Sequence, residues 1–219
     1  MKYIEKDVVV LVGSGSIGQA IARRVGSGKH IVLADINLDN AQIAAKTLEN
    51  AGFKTSTIIV DISSRESILE LIEHAKSKGE ISNFINSAGL SPSQASIEHI
   101  LQVDLYGTAV LLEEIGKVIK IGGSGITISS QSGHRLGNIS EEESEKLATL
   151  PTEELLNLDF LKNITNTLKA YQYSKRCNNL RVMYEATKWG ERNATINSIS
   201  PGIIITPLAN DELNGPRGE

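Results

Sequence analysis

The strongest constraint on the fold is a glycine-rich turn between an apolar strand and a helix, near the start of the chain. Five consecutive apolar residues, Val8 to Val12, are typical of a strand that is buried on both faces. Gly13, Gly15 and Gly18 follow with the spacing G-x-G-x-x-G, and apolar residues at helical spacing come next. Such glycines allow a tight turn, close approach of the backbone to a pyrophosphate, and close packing of helix on strand. The stretch therefore predicts a dinucleotide-binding turn, with the N-terminus of the helix facing the pyrophosphate.

Acidic residues end the next two predicted strands. Asp35 lies 20 residues after Gly15, where a carboxylate can accept hydrogen bonds from both ribose hydroxyls of an adenosine. Asp61 follows the third predicted strand, Thr55 to Val60. Ser63 is expected to cap the following helix, which leaves Asp61 available for an adenine amino group. The alternatives are an ordinary glycine turn for the whole motif and a solvated loop acid for Asp61.

Predicted strands and helices alternate along the chain, without repeats or low-complexity linkers. This alternation predicts an α/β fold: a doubly wound parallel sheet (Rossmann fold) with helices on both faces, in three α/β/α layers. Ligands of such sheets bind at the carboxyl ends of the strands. We therefore interpret residues 1–219 as a single dinucleotide-binding domain. A further predicted helix is capped by Asn37 and ends near Asn50, with Ile43, Ala44, Thr47 and Leu48 along one stripe. The remaining predicted elements are the strand Asn83 to Asn86, a long helix from about Ile97 to Ile119, and a strand from Gly125 to Ser129 or Ser130.

Composition and charge argue against several classes of function. The 219 residues include 40% hydrophobic and 22% charged residues, ordinary values for a globular domain. A net charge of −4 without any basic run argues against a nucleic-acid partner. The start MKYIEKDVVV leads straight into a strand, and no apolar run approaches the roughly 20 residues of a membrane span, so we expect a cytoplasmic protein without a membrane partner. The single cysteine, Cys177, allows neither an internal disulfide nor a thiolate metal cluster, and no metal site is predicted.

Several short motifs, taken in order along nearly the whole chain, resemble the short-chain dehydrogenase/reductase family. The resemblance implies an NAD(H)-dependent oxidoreductase that interconverts a secondary alcohol and a carbonyl by hydride transfer. It also implies a small-molecule alcohol or carbonyl substrate and a homo-oligomer, either a dimer or a tetramer. The motifs are the glycine turn, Asp61, Asn86-Ser-Ala-Gly89, Ile128-Ser-Ser130-x-x-Gly133, Tyr171-x-x-x-Lys175 and Pro201-Gly202-x-x-x-Thr206.

Tyr171 and Lys175 carry the predicted proton transfer. They are four residues apart in a helical stretch, so their side chains share one face. Tyrosine, with a reference pKa of about 10, is a poor base at neutral pH, and a nearby ammonium group and the nicotinamide charge can stabilise its ionised form. The resemblance implies that Ser130 orients the substrate oxygen near Tyr171. Tyr173 is not a candidate, because Cys177 stands four residues after it.

The residues around Asp35 favour NAD(H) over NADP(H) as the cofactor. The Asp35 carboxylate would repel a 2′-phosphate, and neither Ile36 nor Asn37 offers a cation to neutralise it. The resemblance implies that Asn86 helps to shape the ribose pocket and that Lys175 binds the nicotinamide ribose. The predicted cofactor-binding residues, with Ile204 and Thr206 at the carboxamide end, are Gly13, Gly15, Ser16, Ile17, Gly18, Asp35, Asp61, Ile62, Asn86, Ala88, Gly89, Tyr171, Lys175, Pro201, Ile204 and Thr206.

Two departures from the family pattern concern the site itself. The glycine turn is shorter than the usual G-x-x-x-G-x-G and has Val12 in place of threonine. Asp104 stands on the apolar face of the long helix, where the family has a catalytic asparagine. A buried carboxylate needs a partner, and we predict that Lys175 is that partner, directly or through water, so that Asp104 extends the proton relay. A carboxylate bonded only to the backbone is the alternative.

Two further departures concern the length of the chain. Ser130 lies 41 residues before Tyr171, further than in most members, and the stretch from Asn138 to Asn166 contains two short helical patterns. We interpret this stretch as a helical insertion that forms a wall or lid at the pocket mouth and changes the dimer surface. The chain stops at Glu219, so we expect the family's C-terminal substrate lid and last strand to be absent.

A catalytically silent dinucleotide-binding sensor on the same fold is the rival interpretation. Asp104 and the altered glycine turn favour the sensor. Ser130, Tyr171 and Lys175, which are all present, favour the enzyme.

Overall fold

Six parallel strands form one sheet in the computed structural model, which describes residues 7–93 and 95–207. The strand order is β3-β2-β1-β4-β5-β6, so the sheet is doubly wound and the predicted fold class is confirmed. The strands are β1 (Asp7–Val12), β2 (His30–Asp35), β3 (Lys54–Ile59), β4 (Glu80–Asn86), β5 (Ser124–Ile128) and β6 (Thr195–Ile199). The α-helices are α1 (Ser16–Val25), α2 (Leu38–Asn50), α3 (Arg65–Lys76), α4 (Ile97–Ile100), α5 (Thr108–Val118), α6 (Glu141–Thr149), α7 (Asp159–Lys162) and α8 (Thr167–Glu191).

The sheet separates two hydrophobic cores because successive residues of a strand point to opposite faces. β1 lies between β2 and β4, and Val8 to Val12 are fully buried. Val8, Val10 and Val12 pack with buried residues of α3, α5 and α8, whereas Val9 and Leu11 pack with buried residues of α1 and α2. Among the described residues, no helix has the length and apolar content needed to cross a membrane.

Helix α2 begins as predicted but buries a different face. Asn37 caps it, and the Asn37 side chain accepts a hydrogen bond from the Asp39 amide at 2.9 Å. The buried face contains Ala41, Ala45 and other residues at helical spacing. Ile43 lies two residues from each of them, about 200° around the helix axis, and is 68% exposed. The prediction that Ile43 belongs to the buried stripe is therefore wrong.

The cap of α3 is also shifted from the predicted residue. Ser64, not Ser63, is the N-cap, and its side chain accepts from the Ser67 amide. Ser63 instead donates its hydroxyl hydrogen to Asp61 Oδ1 at 2.6 Å, and its amide donates to the same oxygen at 2.9 Å. The expectation that Ser63 caps the helix and leaves Asp61 without a contact is therefore wrong. Ser63 instead binds Oδ1 of the Asp61 carboxylate, two residues before it.

The predicted long helix is continuous but changes its winding in the middle. Between α4 and α5 the chain forms a π-helical segment, Leu101–Gly107. Such segments are rare in proteins, and those that do occur are often found at functional sites. Asp104 lies within this segment, and the change of winding was not predicted.

The segment 138–166 is helical, as its two patterns predicted. Ser140 caps α6 in a capping box with Glu143, a 3-10 helix covers Thr152–Asn157, and α7 follows. Its buried leucines join a third apolar cluster, which covers the outer faces of the π-helical segment and α8. The members contributed by the segment are Leu147, Leu155, Leu158 and Leu161, and those on the other side are Ile100, Leu101, Leu105, Ala109, Ala170, Tyr173 and Cys177, with Leu136 before the segment.

Candidate active site

A cavity of about 450 Å³ opens where β4 and β5 end and α8 begins. This position agrees with the rule that ligands of doubly wound sheets bind at the carboxyl ends of the strands. No residue of the segment 138–166, all of which the structure describes, lies on its wall, so the expectation that this segment forms a wall or lid there is wrong. The predicted site residues on the wall are Ile17, Ala88, Gly89, Ser130, Tyr171, Lys175, Pro201, Ile204 and Thr206.

Helix α8 brings Tyr171 and Lys175 together within its first turns. Asn166 caps this helix and accepts a hydrogen bond from the Lys169 amide at 2.8 Å. Lys175 Nζ lies 5.3 Å from the centre of the Tyr171 ring, as the spacing of four residues predicted. The Lys175 side chain is only 5% exposed, so its charge acts in a medium of low dielectric constant.

Ser130 lies on the same cavity wall, at the start of the 3-10 helix Gln131–Arg135. Its hydroxyl oxygen accepts from the Ser132 amide at 3.1 Å. The hydroxyl hydrogen has no acceptor among the described residues, so it can be donated to a ligand. The neighbouring Ser129 hydroxyl donates to the backbone oxygen of Lys175 at 2.8 Å, which ties β5 to α8.

Asp104 lies behind Lys175 and is fully buried. Its Oδ1 accepts from the Leu90 amide at 2.8 Å, and its Oδ2 lies 3.8 Å from Lys175 Nζ. Burial raises the pKa of the Asp104 carboxyl, and the charge of Lys175 and the Leu90 amide oppose part of this effect. Gly89 leaves room for this arrangement, because a Cβ there would be in tight contact with both side chains, 3.0 Å from Asp104 Oδ1 and 3.2 Å from Lys175 Nζ.

The glycine turn has the features that a pyrophosphate site needs. Gly13 has φ = +82°, and a Cβ at this position would lie 2.5 Å from the Ala88 amide nitrogen. Gly15 is the N-cap of α1 and provides no side-chain cap, so the first amides of the helix are left for another acceptor. A Cβ on Gly15 would point into open space. The residues present therefore fit a dinucleotide, whose phosphates would approach the helix at Gly15.

Asp35 is fixed at the end of β2 by two backbone amides. Its Oδ2 accepts from the Ser14 amide at 2.8 Å, and its Oδ1 accepts from the Asn37 amide at 3.0 Å. Each carboxylate oxygen can accept a further hydrogen bond. The following residue, Ile36, is 66% exposed and brings no positive charge.

Two predicted cofactor residues are buried away from the cavity. Asn86 accepts from the Ala88 amide and donates to the Thr108 hydroxyl, both at 3.3 Å, so it organises the turn after β4 from beneath. Ile62 belongs to the apolar core, and its backbone oxygen lies against Gly107 of the π-helical segment.

Sequence reasoning missed several residues on the wall. Leu168 lies one turn before Tyr171 on α8, and this spacing of three residues was the available signal. Arg135 ends the 3-10 helix that follows Ser130. No motif marks Arg135, since its place on the wall depends on how that helix packs against α8.

Comparison with known proteins identifies the family. A family model described as enoyl-(acyl carrier protein) reductase matches residues 12–143. The chain is 37% identical over 218 residues to the short-chain dehydrogenase/reductase bsc3 of Alternaria brassicicola. The aligned region covers 99% of this chain and 80% of that protein. The chain belongs to the short-chain dehydrogenase/reductase family. This short-chain dehydrogenase/reductase is therefore an oxidoreductase of the class that acts on alcohols and carbonyls.

Other relatives agree with the family assignment of this short-chain dehydrogenase/reductase. The 7alpha-hydroxysteroid dehydrogenase of Bacteroides fragilis is 27% identical over 218 residues, covering 98% of this chain and 78% of that protein. A solved 7alpha-hydroxysteroid dehydrogenase, complexed with NADH and 7-oxo glycochenodeoxycholic acid, matches with a TM-score of 0.71 at 20% identity, over 97% of this chain and 76% of that one. A short-chain dehydrogenase/reductase from Serratia marcescens matches with a TM-score of 0.71 at 21% identity, over 94% and 77%. At these identities the structural matches show the fold.

Proposed function

We propose that this short-chain dehydrogenase/reductase interconverts a secondary alcohol and a carbonyl with NAD(H), using Tyr171 as the general acid/base. The observation that supports the proposal is the placement of Ser130, Tyr171 and Lys175 on one wall of the cavity. A hydroxyl, an ionisable phenol and a buried ammonium group can supply the hydrogen bond, the proton and the positive charge that assist carbonyl reduction.

The proposed chemistry assigns one step to each of these side chains. In the reductive direction the Tyr171 hydroxyl donates its proton to the carbonyl oxygen, while the Ser130 hydroxyl donates a hydrogen bond to the same oxygen. Bound NADH supplies the hydride. The ammonium charge of Lys175, 5.3 Å from the Tyr171 ring centre, stabilises the phenolate that remains. In the oxidative direction the phenolate takes the proton from the alcohol.

The direct test of the proposed function is a substrate screen. Purified protein is mixed with NADH and a panel of ketones, or with NAD+ and a panel of secondary alcohols, and the absorbance of reduced nicotinamide is followed. Turnover with at least one carbonyl or alcohol supports the proposal. NADH binding without any turnover would favour the sensor.

We propose that Asp104 extends the proton relay behind Lys175. Because its carboxyl is buried, we also expect the stability of the protein to depend on pH through this group. Its folded-state pKa lies above the ordinary value of 3.8, so the fold favours the neutral acid. The corresponding stability is fully present below that ordinary pKa and is lost as the pH rises through the raised one. Relative to wild type, Asp104→Asn should therefore gain stability as the pH rises from about 4 to about 8.

Urea denaturation across this pH range measures the effect of Asp104→Asn. Asp39→Asn, which changes an exposed acid on α2, is the matched control and should show no comparable rise. Asp104→Ala should be less stable by about 1–3 kcal/mol, because the Leu90 amide loses its acceptor. The pH–rate profile of Asp104→Asn should also shift. An unchanged pH–rate profile together with a constant stability difference would limit Asp104 to a structural role.

Cofactor preference is predicted from Asp35. We expect NADH to bind at least about tenfold more tightly than NADPH, about 1.4 kcal/mol or more, because the fixed carboxylate repels a 2′-phosphate. Asp35→Asn removes the charge and should reduce this ratio. Titration of both proteins with both cofactors measures the dissociation constants, and equal values for the wild type would contradict the assignment.

A further inference from the structure

Arg135 is a charged residue of the cavity wall that the proposed mechanism does not use. It is exposed and lies at the end of the 3-10 helix Gln131–Arg135. Among the residues that the structure describes, its guanidinium has neither a hydrogen-bond acceptor nor an ion-pair partner. Arg135 can therefore bind a ligand without first breaking an interaction within the described protein.

The charge on this wall is positive. Lys175 and Arg135 are the charged residues among those described on the wall, which includes no aspartate or glutamate. A further cation, Lys169, lies near Arg135. Its Nζ donates to the backbone oxygen of Leu136, the residue after Arg135, at 3.4 Å. A cavity lined by one sign of charge concentrates ligands of the opposite sign. The planar guanidinium also matches the two oxygens of a carboxylate.

The position of Arg135 assigns it to the substrate end of the cavity. It shares a helix with the cap residue Ser130, and this helix packs against α8, where Arg176 Nε donates to the backbone oxygen of Gly133 at 2.8 Å. The cofactor side of the wall is formed by other elements: Ile17 belongs to α1, beside the glycine turn, and Ala88 belongs to the turn after β4, against Gly13. A 3-10 helix rises about 2 Å per residue, so the backbone positions of Ser130 and Arg135 are separated by about 10 Å along the helix axis. This spacing leaves room for several bonds between a reacting carbon and a group bound by Arg135.

We infer that the substrate is an amphipathic ketone or alcohol that carries a carboxylate, and that Arg135 binds this carboxylate. The inference rests on the proposed function and specifies its substrate class. The same wall also carries apolar side chains, which suit a hydrocarbon body between the carbonyl and the carboxylate. The apolar residues concerned are Leu90, Pro92, Leu168 and Ile203.

The test compares aryl keto acids with their uncharged methyl esters. Protein saturated with NAD+, which cannot donate a hydride to a ketone, is titrated with β-benzoylpropionate, with δ-benzoylvalerate, which has a longer chain, and with the methyl ester of each. The wild type should bind at least one acid about tenfold more tightly than its ester. Arg135→Gln should lose this preference, whereas its affinities for the ester and for NADH should stay within about twofold of wild type. Arg24→Gln, which removes an exposed arginine on α1, is the matched control and should keep the preference.

Three outcomes overturn the inference. In the first, the wild type binds neither acid more tightly than its ester. In the second, Arg135→Gln retains the preference for the acid. In the third, Arg135→Gln weakens the binding of NADH itself, which would assign Arg135 to the cofactor. NADH binding and reduction of uncharged ketones are measured separately. A protein that binds NADH and reduces such ketones without any preference for acids rejects the anionic substrate and leaves the proposed function intact.

Discussion

Tyr171→Phe should reduce turnover by about 100-fold or more, which corresponds to about 2.7 kcal/mol or more in the activation free energy. The substitution removes one hydroxyl group and leaves the ring, α8 and Lys175 in place. If that hydroxyl carries the proton in the chemical step, its loss affects kcat directly. The affinity for NADH should stay within about twofold of wild type, because the proposed ribose contact belongs to Lys175.

Tyr173→Phe is the matched control for this experiment. Tyr173 lies two residues further along the same helix, packs against Phe160 with ring centres 5.6 Å apart, and is absent from the cavity wall. It should retain near wild-type turnover. Full activity in Tyr171→Phe would reject the mechanism. The sensor interpretation instead expects no turnover in any of the three proteins, with NADH binding preserved.

Those parts of the fold and site that depend on local sequence were predicted well. The glycine turn, the cap at Asn37 and the pairing of Tyr171 with Lys175 each involve residues within one turn or one helix face. Long-range features could not be found in this way. The approach of Lys175 to Asp104 could be proposed only because a buried carboxylate needs a partner.

The errors have physical causes that a single sequence does not reveal. Ser63 and Ser64 are both good N-caps, and the choice was decided by Asp61, whose carboxylate binds the Ser63 hydroxyl. Burial of Ile43 was predicted from apolarity, but the phase of α2 is set by small alanines that pack closely on the sheet. The place of Arg135 on the wall depends on the docking of a short 3-10 helix on α8, and no spacing rule encodes that contact.

The segment 138–166 was predicted to be a lid, and its contacts indicate a different role. Polar contacts attach it to α3 and α5 of the dinucleotide-binding fold. The Thr152 hydroxyl donates to Glu113 Oε2 at 2.9 Å, and Arg65 Nε donates to Glu153 Oε1 at 2.7 Å. Burial alone would raise the pKa of Glu113, but hydrogen bonds from Arg65, Lys117 and Thr152 lower it to about 2. Glu113 is therefore ionised throughout the neutral range and keeps this attachment.

We expect Leu155→Ala to reduce the free energy of unfolding by about 2–5 kcal/mol. Leu155 is fully buried in the apolar cluster that joins the segment 138–166 to the π-helical segment and α8. Truncation to alanine removes buried methyl groups and leaves a cavity that close-packed neighbours fill only in part. Urea denaturation of both proteins gives the difference directly.

Leu69→Ala makes the same chemical change at an exposed position of α3, where the side chain is 43% exposed, and serves as the control. It should cost less than about 1 kcal/mol, because little apolar area leaves the interior. Equal small losses in the two variants would mean that the segment rests loosely on the surface, as a lid does. A large loss in Leu155→Ala alone makes the segment part of the core that holds the π-helical segment, and with it Asp104, against Lys175.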